Sequence, residues 1–245
     1  MYRKYNNHHL LEVNCGFNFY DESSWDSTYY GQFYELIKSE GFNEKIERKG
    51  VQVTVKDDKA SASAKIASQE IEDQVIFKNN SKGLAIIIAK NKLSFHSIEN
   101  YTNWQNFTTT FVLPMLEKYL NLGLGKGNFR VNCLYLNRFI IEEKERTSKY
   151  LSFVNDITKF EDLSELDNNF RRIFKLNDST NLLVRGYRSN NDHLSSTNVL
   201  YLECGSIIES QDLKIQNVET VLTKVHASVR DLFENCITES LKNTL

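Results

Sequence analysis

The segment from Leu93 to Ile141 constrains this chain more than any other. It reads LSFHSIENYTNWQNF, then a helix-like run, then FRVNCLYLNRFII. Alternation on either side predicts strands that each bury one face, whereas the aromatics between them recur at helical spacing. Tyr101, Trp104, Phe107, Phe111, Met115, Leu116 and Tyr119 predict a helix over about Asn100 to Leu120. Pro114, the only proline in the chain, lies inside that run. It should kink or split the helix near Thr110, because it lacks a backbone donor and crowds the preceding turn.

The rest of the chain repeats this grammar. Leu11, Val13, Cys15, Phe17 and Phe19 alternate as a strand. Tyr30, Phe33, Tyr34 and Ile37 have helical spacing, with Gly41 as a stop. Val51–Val55, Ser61–Ile66, Gln74–Lys78, Gly83–Ala89 and Lys92–His96 read as strands, and Asn79 to Gly83 as a hairpin turn. The second half opens with the strand Phe129–Ile141. A short helix is predicted over Asp162–Phe174, strands over Leu182–Arg188 and Val199–Ile208, and a helix about 40 Å long over Ile215–Leu241. Short strands joined by polar turns pair antiparallel. The predicted class is α+β: antiparallel sheet packed by two long helices. One domain, 1–245, is expected, in two halves, 1–122 and 123–245. Val-Asn-Cys occurs at Val13–Cys15 and again at Val131–Cys133, which raises a pseudo-repeat of one plan.

Composition excludes several classes. The chain carries 15 Phe, 12 Tyr and 2 Trp in 245 residues, which disordered chains lack. Its net charge of -2 supplies no overall field for nucleic acid. The longest apolar runs, such as Leu84–Ala89, are too short to cross a bilayer. The first residues, MYRKYNNHHLLEVNCGF, contain no apolar stretch of signal-peptide length, so a cytoplasmic location is expected. Cys15, Cys133, Cys204 and Cys236 form no CxxC pair. They are expected to be buried free thiols, with no metal site.

Catalytic motifs are missing. GLGKGN at Gly123 lacks the spacing of a phosphate loop and precedes a strand. Neither HExxH nor GxSxG occurs, and no cofactor is expected. The five histidines do not cluster. His8 and His9 are expected at a solvated terminus, His96 at a strand end, His193 in a loop, and His226 on the margin of the last helix. His226 reads as half-buried and hydrogen-bonded to the sheet, or else as a base. Asn137 and Arg138 interrupt a strand whose faces are otherwise largely apolar, so they need partners or a cleft. The structural alternative is a hydrogen bond plus a salt bridge, for instance to Glu234. The functional one is an anion site, with Arg185 and Arg188 adding charge. Tyr101, Trp104 and Tyr135 then line a cleft or, alternatively, pack in the core. The candidate ligand residues are Asn137, Arg138, Arg185, Arg188, His226 and Glu234.

Three groups of residues carry a resemblance. They are Tyr101-Trp104-Phe107, then Leu134-Tyr135-Leu136-Asn137-Arg138, then His226-Val229-Phe233-Glu234-Ile237-Thr238. With these the chain resembles a sporadically distributed family of uncharacterised prokaryotic proteins. That family's pattern runs Y-x-x-W-x-x-F, R-Y-x-N-R and H-x-x-(I/V)-x-x-x-F-E-x-x-I-T. The chain departs from it at Leu134, where the family has arginine more often, and lacks an arginine-aromatic pair near Phe17. The resemblance implies no activity. The family's patchy occurrence implies a setting in phage defence, toxin-antitoxin systems or mobile elements. The order of strands followed by a long helix is also similar to the export-chaperone fold.

Three functions follow as expectations. The first is a non-enzymatic interaction or ligand-sensing accessory module, with a protein partner or a homodimer. The second is an enzyme or binder acting on a phosphate-bearing ligand. The third is a chaperone-like protein with an exposed apolar groove.

Overall fold

Alternating side chains become strands and the aromatic runs become helices. In chain order these are β1 (Leu10–Phe19), α1 (Thr28–Ile37), β2 (Glu44–Lys56), β3 (Lys65–Asn79), β4 (Leu84–Ala89), β5 (Lys92–Ile98), α2 (Trp104–Phe107) and α3 (Leu113–Asn121). They continue with β6 (Phe129–Ile140), β7 (Asn168–Asn177), β8 (Thr180–Ser189), β9 (Val199–Glu209), α4 (Val218–Cys236) and α5 (Glu239–Lys242). The computed structural model describes residues 9–20, 25–56, 65–98, 100–125, 127–141, 147–153, 168–177, 179–189, 199–209 and 215–245, with backbone alone at 49–56, 65–72, 168–169 and 188–189. His8, His193, residues 61–64 of the predicted strand Ser61–Ile66 and residues 162–167 of the Asp162–Phe174 segment lie outside these residues.

The strands form one nine-stranded sheet in the order β2-β3-β4-β5-β1-β6-β9-β8-β7. All its ladders are antiparallel. The α+β class with an antiparallel sheet is therefore as read from the sequence. Among the described residues, no helix is long and apolar enough to cross a membrane.

The centre of the sheet is the β1–β6 ladder, where Cys15 stands opposite Cys133, Val13 opposite Tyr135 and Phe17 opposite Val131. Burial alternates along β6. Phe129, Val131, Cys133, Tyr135 and Phe139 of β6 join Val13, Cys15, Phe17 and Phe19 in one core cluster. Side chains of α1, α2, α3, α4 and α5 enter the same cluster, so these helices share one face of the sheet. We call the opposite side the far face.

Three expectations about helices need correction. The two are not both long. The helical run at Trp104 is α2, a π-helical segment at Thr108–Val112, and α3. Pro114 falls in the first turn of α3, where its missing donor is tolerated. The π-helical turn just before it absorbs the misfit. Hydroxyls of Thr108, Thr109 and Thr110 donate to carbonyls of the preceding turn, at 2.7 to 3.1 Å. The last helix is 19 residues, about 28 Å, rather than 40 Å. It stops because Ile237 turns extended and bridges Leu151. There Ser152 N donates to Cys236 O and Thr238 N to Tyr150 O. Finally, Asn168–Phe174 is strand, not helix. Leu163, Leu166 and Phe170 have helical spacing, but pairing of Phe170, Arg172 and Phe174 with Gly186, Val184 and Leu182 of β8 decides the conformation.

Candidate functional site

The sequence candidates separate onto the two faces of the sheet. Asn137 lies on the helix side, 2% exposed, and its amide donates to Leu202 O at 3.1 Å. The polar interruption is thus satisfied inside the core. Arg138, the next residue, belongs to the half-buried row of β6 on the far face. Its backbone N donates to His9 O at 2.7 Å. His9 is not a frayed terminal residue: its ring stacks on Phe139 and Phe233, at 5.3 and 5.5 Å.

His226 is half-buried on α4, and its Nδ1 is hydrogen-bonded to the Tyr135 hydroxyl at 2.6 Å. Trp104 stacks on the imidazole at 4.6 Å. The Tyr101 hydroxyl lies 3.1 Å from that of Tyr135. Burial, then the charge of Arg230, pushes the His226 pKa down to about 4. Burial pushes the Tyr135 phenol well up. At neutral pH the cluster is therefore uncharged imidazole and protonated phenols, a hydrogen-bonded chain that ties α4 and the segment before α2 to β6. Glu234 is half-buried two turns further along α4. Arg185 is exposed on the far face, opposite Glu203 in register and 6.0 Å from the Tyr187 ring. Arg188 pairs in register with Leu200, and its side chain lies outside the described residues. Asn137 and His226 therefore do not meet Arg138 and Arg185, because the sheet separates them.

The far face holds a constellation that the sequence reading did not assemble. His96 of β5 stands opposite Asn14 of β1, and Ser94 stands opposite Gly16. His96 Nδ1 is 2.5 Å from a Glu12 carboxylate oxygen, and the Ser94 hydroxyl is 2.9 Å from His96 Nε2. The Asn14 amide nitrogen is 3.2 Å from each ring nitrogen. Asn132 Nδ2 donates to Asn14 Oδ1 at 3.3 Å. The His96 side chain is only 12% exposed. Along the neighbouring row, Glu12, Leu136, Glu203 and Arg185 follow one another in register. Burial raises the Glu203 carboxyl pKa, with Arg185 opposing, Glu12 adding to the rise and Arg171 opposing. The one available signal was alternation: Ser94 and His96 are two apart on a strand, hence on one face. Nothing local indicated that Glu12 is their neighbour. Among the described residues, no group of three or more His, Cys, Asp and Glu side chains is arranged to hold a metal.

A second feature lies at the sheet margin. Among the described residues, β7 is the last strand of the sheet and pairs with β8 alone. Ile173, Phe174 and Leu176 are 58%, 45% and 56% exposed, and Arg171, Arg172 and Lys175 are exposed beside them. Between this edge and α4 runs a groove of about 400 Å³, walled by Phe174, Leu176, Leu182, Val184, Leu232 and Phe153 among others. Over β3 beside α3 the helix side of the sheet is covered by α1. There Phe33 packs on Phe77 and Tyr119, and Tyr34 stacks on Phe77.

No protein-family model matches this chain, and no curated protein matches it.

Proposed function

We propose that the protein is an interaction module that captures an extended, acidic and apolar segment of a protein partner along β7. The exposed edge of β7 is the observation that carries this. An edge strand presents unpaired backbone groups to an added strand. A strand docked there places alternate side chains over Phe174, Leu176 and the groove, and the others beside Arg171 and Ile173. Basic side chains on an edge ordinarily repel a second edge. A purely repelling edge, however, would not also expose Ile173, Phe174 and Leu176. Charge selects the partner. Two copies of β7 would bring three cations each to one ladder, which disfavours a homodimer through this edge, whereas carboxylates on a partner strand are attracted. The phosphate-ligand reading has less support, because its candidate residues lie on both sides of the sheet. The chaperone-like reading shares the groove but not the charge preference.

We also infer that the halves 1–122 and 123–245 repeat one plan within a single domain. The two Val-Asn-Cys stretches meet antiparallel at Cys15 and Cys133, as a local two-fold axis requires. In each half the last strand before the long helical run returns beside the first.

The test is binding of synthetic peptides that alternate apolar residues with Glu, and of matched peptides carrying Lys. The acidic series should bind with an affinity that falls as salt rises, and should protect β7 amides from hydrogen exchange. The double charge reversal Arg171→Glu and Arg172→Glu should abolish binding. Equal binding of the Lys series, or unchanged binding by the reversed variant, would sink the proposal.

A further inference from the structure

We propose that Ser94, His96 and Glu12 form a nucleophile site on the far face that transfers acyl groups from short, uncharged esters. It does not depend on capture of a partner at β7, which lies at the margin of the sheet.

The geometry is that of an activated hydroxyl. A nucleophile needs a base within hydrogen-bond reach, and the base needs a third group to hold its tautomer and orientation. Glu12 takes the proton-bearing Nδ1 of His96 at 2.5 Å, which leaves Nε2 as the acceptor for the Ser94 hydroxyl at 2.9 Å. Glu12 is thus a positioning residue, and Ser94 and His96 are the catalytic pair. These groups sit on adjacent strands near the middle of a wide sheet, so their backbones are held by ladders on both sides.

An acyl group reaches Ser94 along its row of the far face. The register partner of Ser94 is Gly16, and the next strand in that row contributes Asn132. A Cβ on Gly16 would stand 2.5 Å from Asn132 Oδ1, so the Asn132 carboxamide covers Gly16, and its Nδ2 donates to Asn14 Oδ1 at 3.3 Å. A carbonyl arriving at Ser94 displaces that carboxamide from Gly16. Backbone N–H groups here are engaged in the ladders, so the donor to a developing oxyanion is Asn132 Nδ2, released from Asn14 Oδ1. Leu134, half-buried on the same face, supplies apolar contact for the acyl chain.

The steps balance without any further reagent than water. Ser94 Oγ bonds to the ester carbon while its proton passes to His96 Nε2. The C–O bond to the alcohol then breaks, and the alcohol leaves with that proton. Water, deprotonated by the same Nε2, attacks the Ser94 ester. Its proton returns to Ser94 Oγ as the acid departs.

The experiment treats the full chain with a fluorophosphonate probe, maps the adduct by mass spectrometry, and follows hydrolysis of p-nitrophenyl acetate. Labelling should fall on Ser94. His96→Gln should slow it about 100-fold, and Ser94→Ala should abolish ester turnover. Glu12→Gln should lower the maximal labelling rate without changing the probe concentration at half-saturation, and Glu12→Asp should restore part of it, a pattern that a merely structural role would not give. Folding of each variant is checked by cooperative melting. A folded wild-type chain that takes no adduct, an adduct on another residue, or equal labelling of Ser94 in His96→Gln would each overturn the proposal.

Discussion

Tyr135 sits where β6, α2 and α4 meet, and its hydroxyl organises the polar interior. It lies 2.6 Å from His226 Nδ1 and 3.1 Å from the Tyr101 hydroxyl. Tyr135→Phe should destabilise the fold by about 1 kcal/mol, read from urea unfolding, because it leaves a half-buried ring nitrogen without its hydrogen-bond partner. The imidazole sets a pH dependence. In the folded chain His226 stays neutral down to about pH 4, whereas in the unfolded chain it takes up a proton near pH 6.5. Between these values the unfolded state binds more protons, so stability falls as pH drops from about 6.5 to about 4 and does not change with this group above that window. The loss should reach about 2 kcal/mol, since the ring is partly exposed and screened. His226→Gln should flatten that part of the stability profile. The four cysteines are all buried, and burial raises the thiol pKa of Cys15 and Cys133. Native protein should therefore resist alkylation at pH 8, and all four thiols should react in denaturant.

At the scale of elements, β7 contrasts with every strand inside the sheet. One cross-strand pair of its ladder is closely fitted, Phe170 opposite Gly186. A Cβ on Gly186 would fall 2.2 Å from the Phe170 ring, so the glycine makes room for that aromatic, which also packs edge-on to Phe153 at 5.0 Å. Gly186→Ala should push the ring away and cost about 1 to 2 kcal/mol, with faster hydrogen exchange confined to β7 and the adjacent part of β8. Uniform loosening across β1 and β6 would refute a local role for this pair. The helical run before β6 behaves differently. Pro114 neither ends it nor separates it into distant pieces, because the π-helical turn and the threonine hydroxyls accommodate the missing hydrogen bond.

At the scale of the molecule, the β1–β6 ladder is the seam of the two proposed halves. Cutting the chain near Gly123 would expose β1 on one piece and β6 on the other, long strands whose row facing the helices is apolar except for Asn137. Such edges aggregate when unpaired. Residues 1–122 and 123–245 should each be insoluble when expressed alone, and should co-elute as a cooperatively melting complex when co-expressed. A soluble, folded 1–122 piece would show that the seam is not needed for folding.

Much of the secondary structure was legible because its signals are local. Alternation marked β1, β6 and β9, and three-to-four spacing marked α1, the Trp104 run and α4. Burial of all four cysteines and the antiparallel character of the sheet were legible for the same reason, since short strands and polar turns leave few other solutions. The strand at Asn168, the early stop at Cys236 and the merging of short predicted strands into β3 were not. Each is decided by a partner far along the chain: β8 for β7, Leu151 for Ile237, and β2 together with β4 for β3. The candidate sites divide in the same way. Ser94 and His96 are two residues apart and share a face by period alone, but Glu12 reaches them only because β1 pairs with β5. By itself the sequence determined which face of each element is apolar. Only the tertiary structure decided which polar residues meet across the sheet, because strand order joins residues that no local spacing connects.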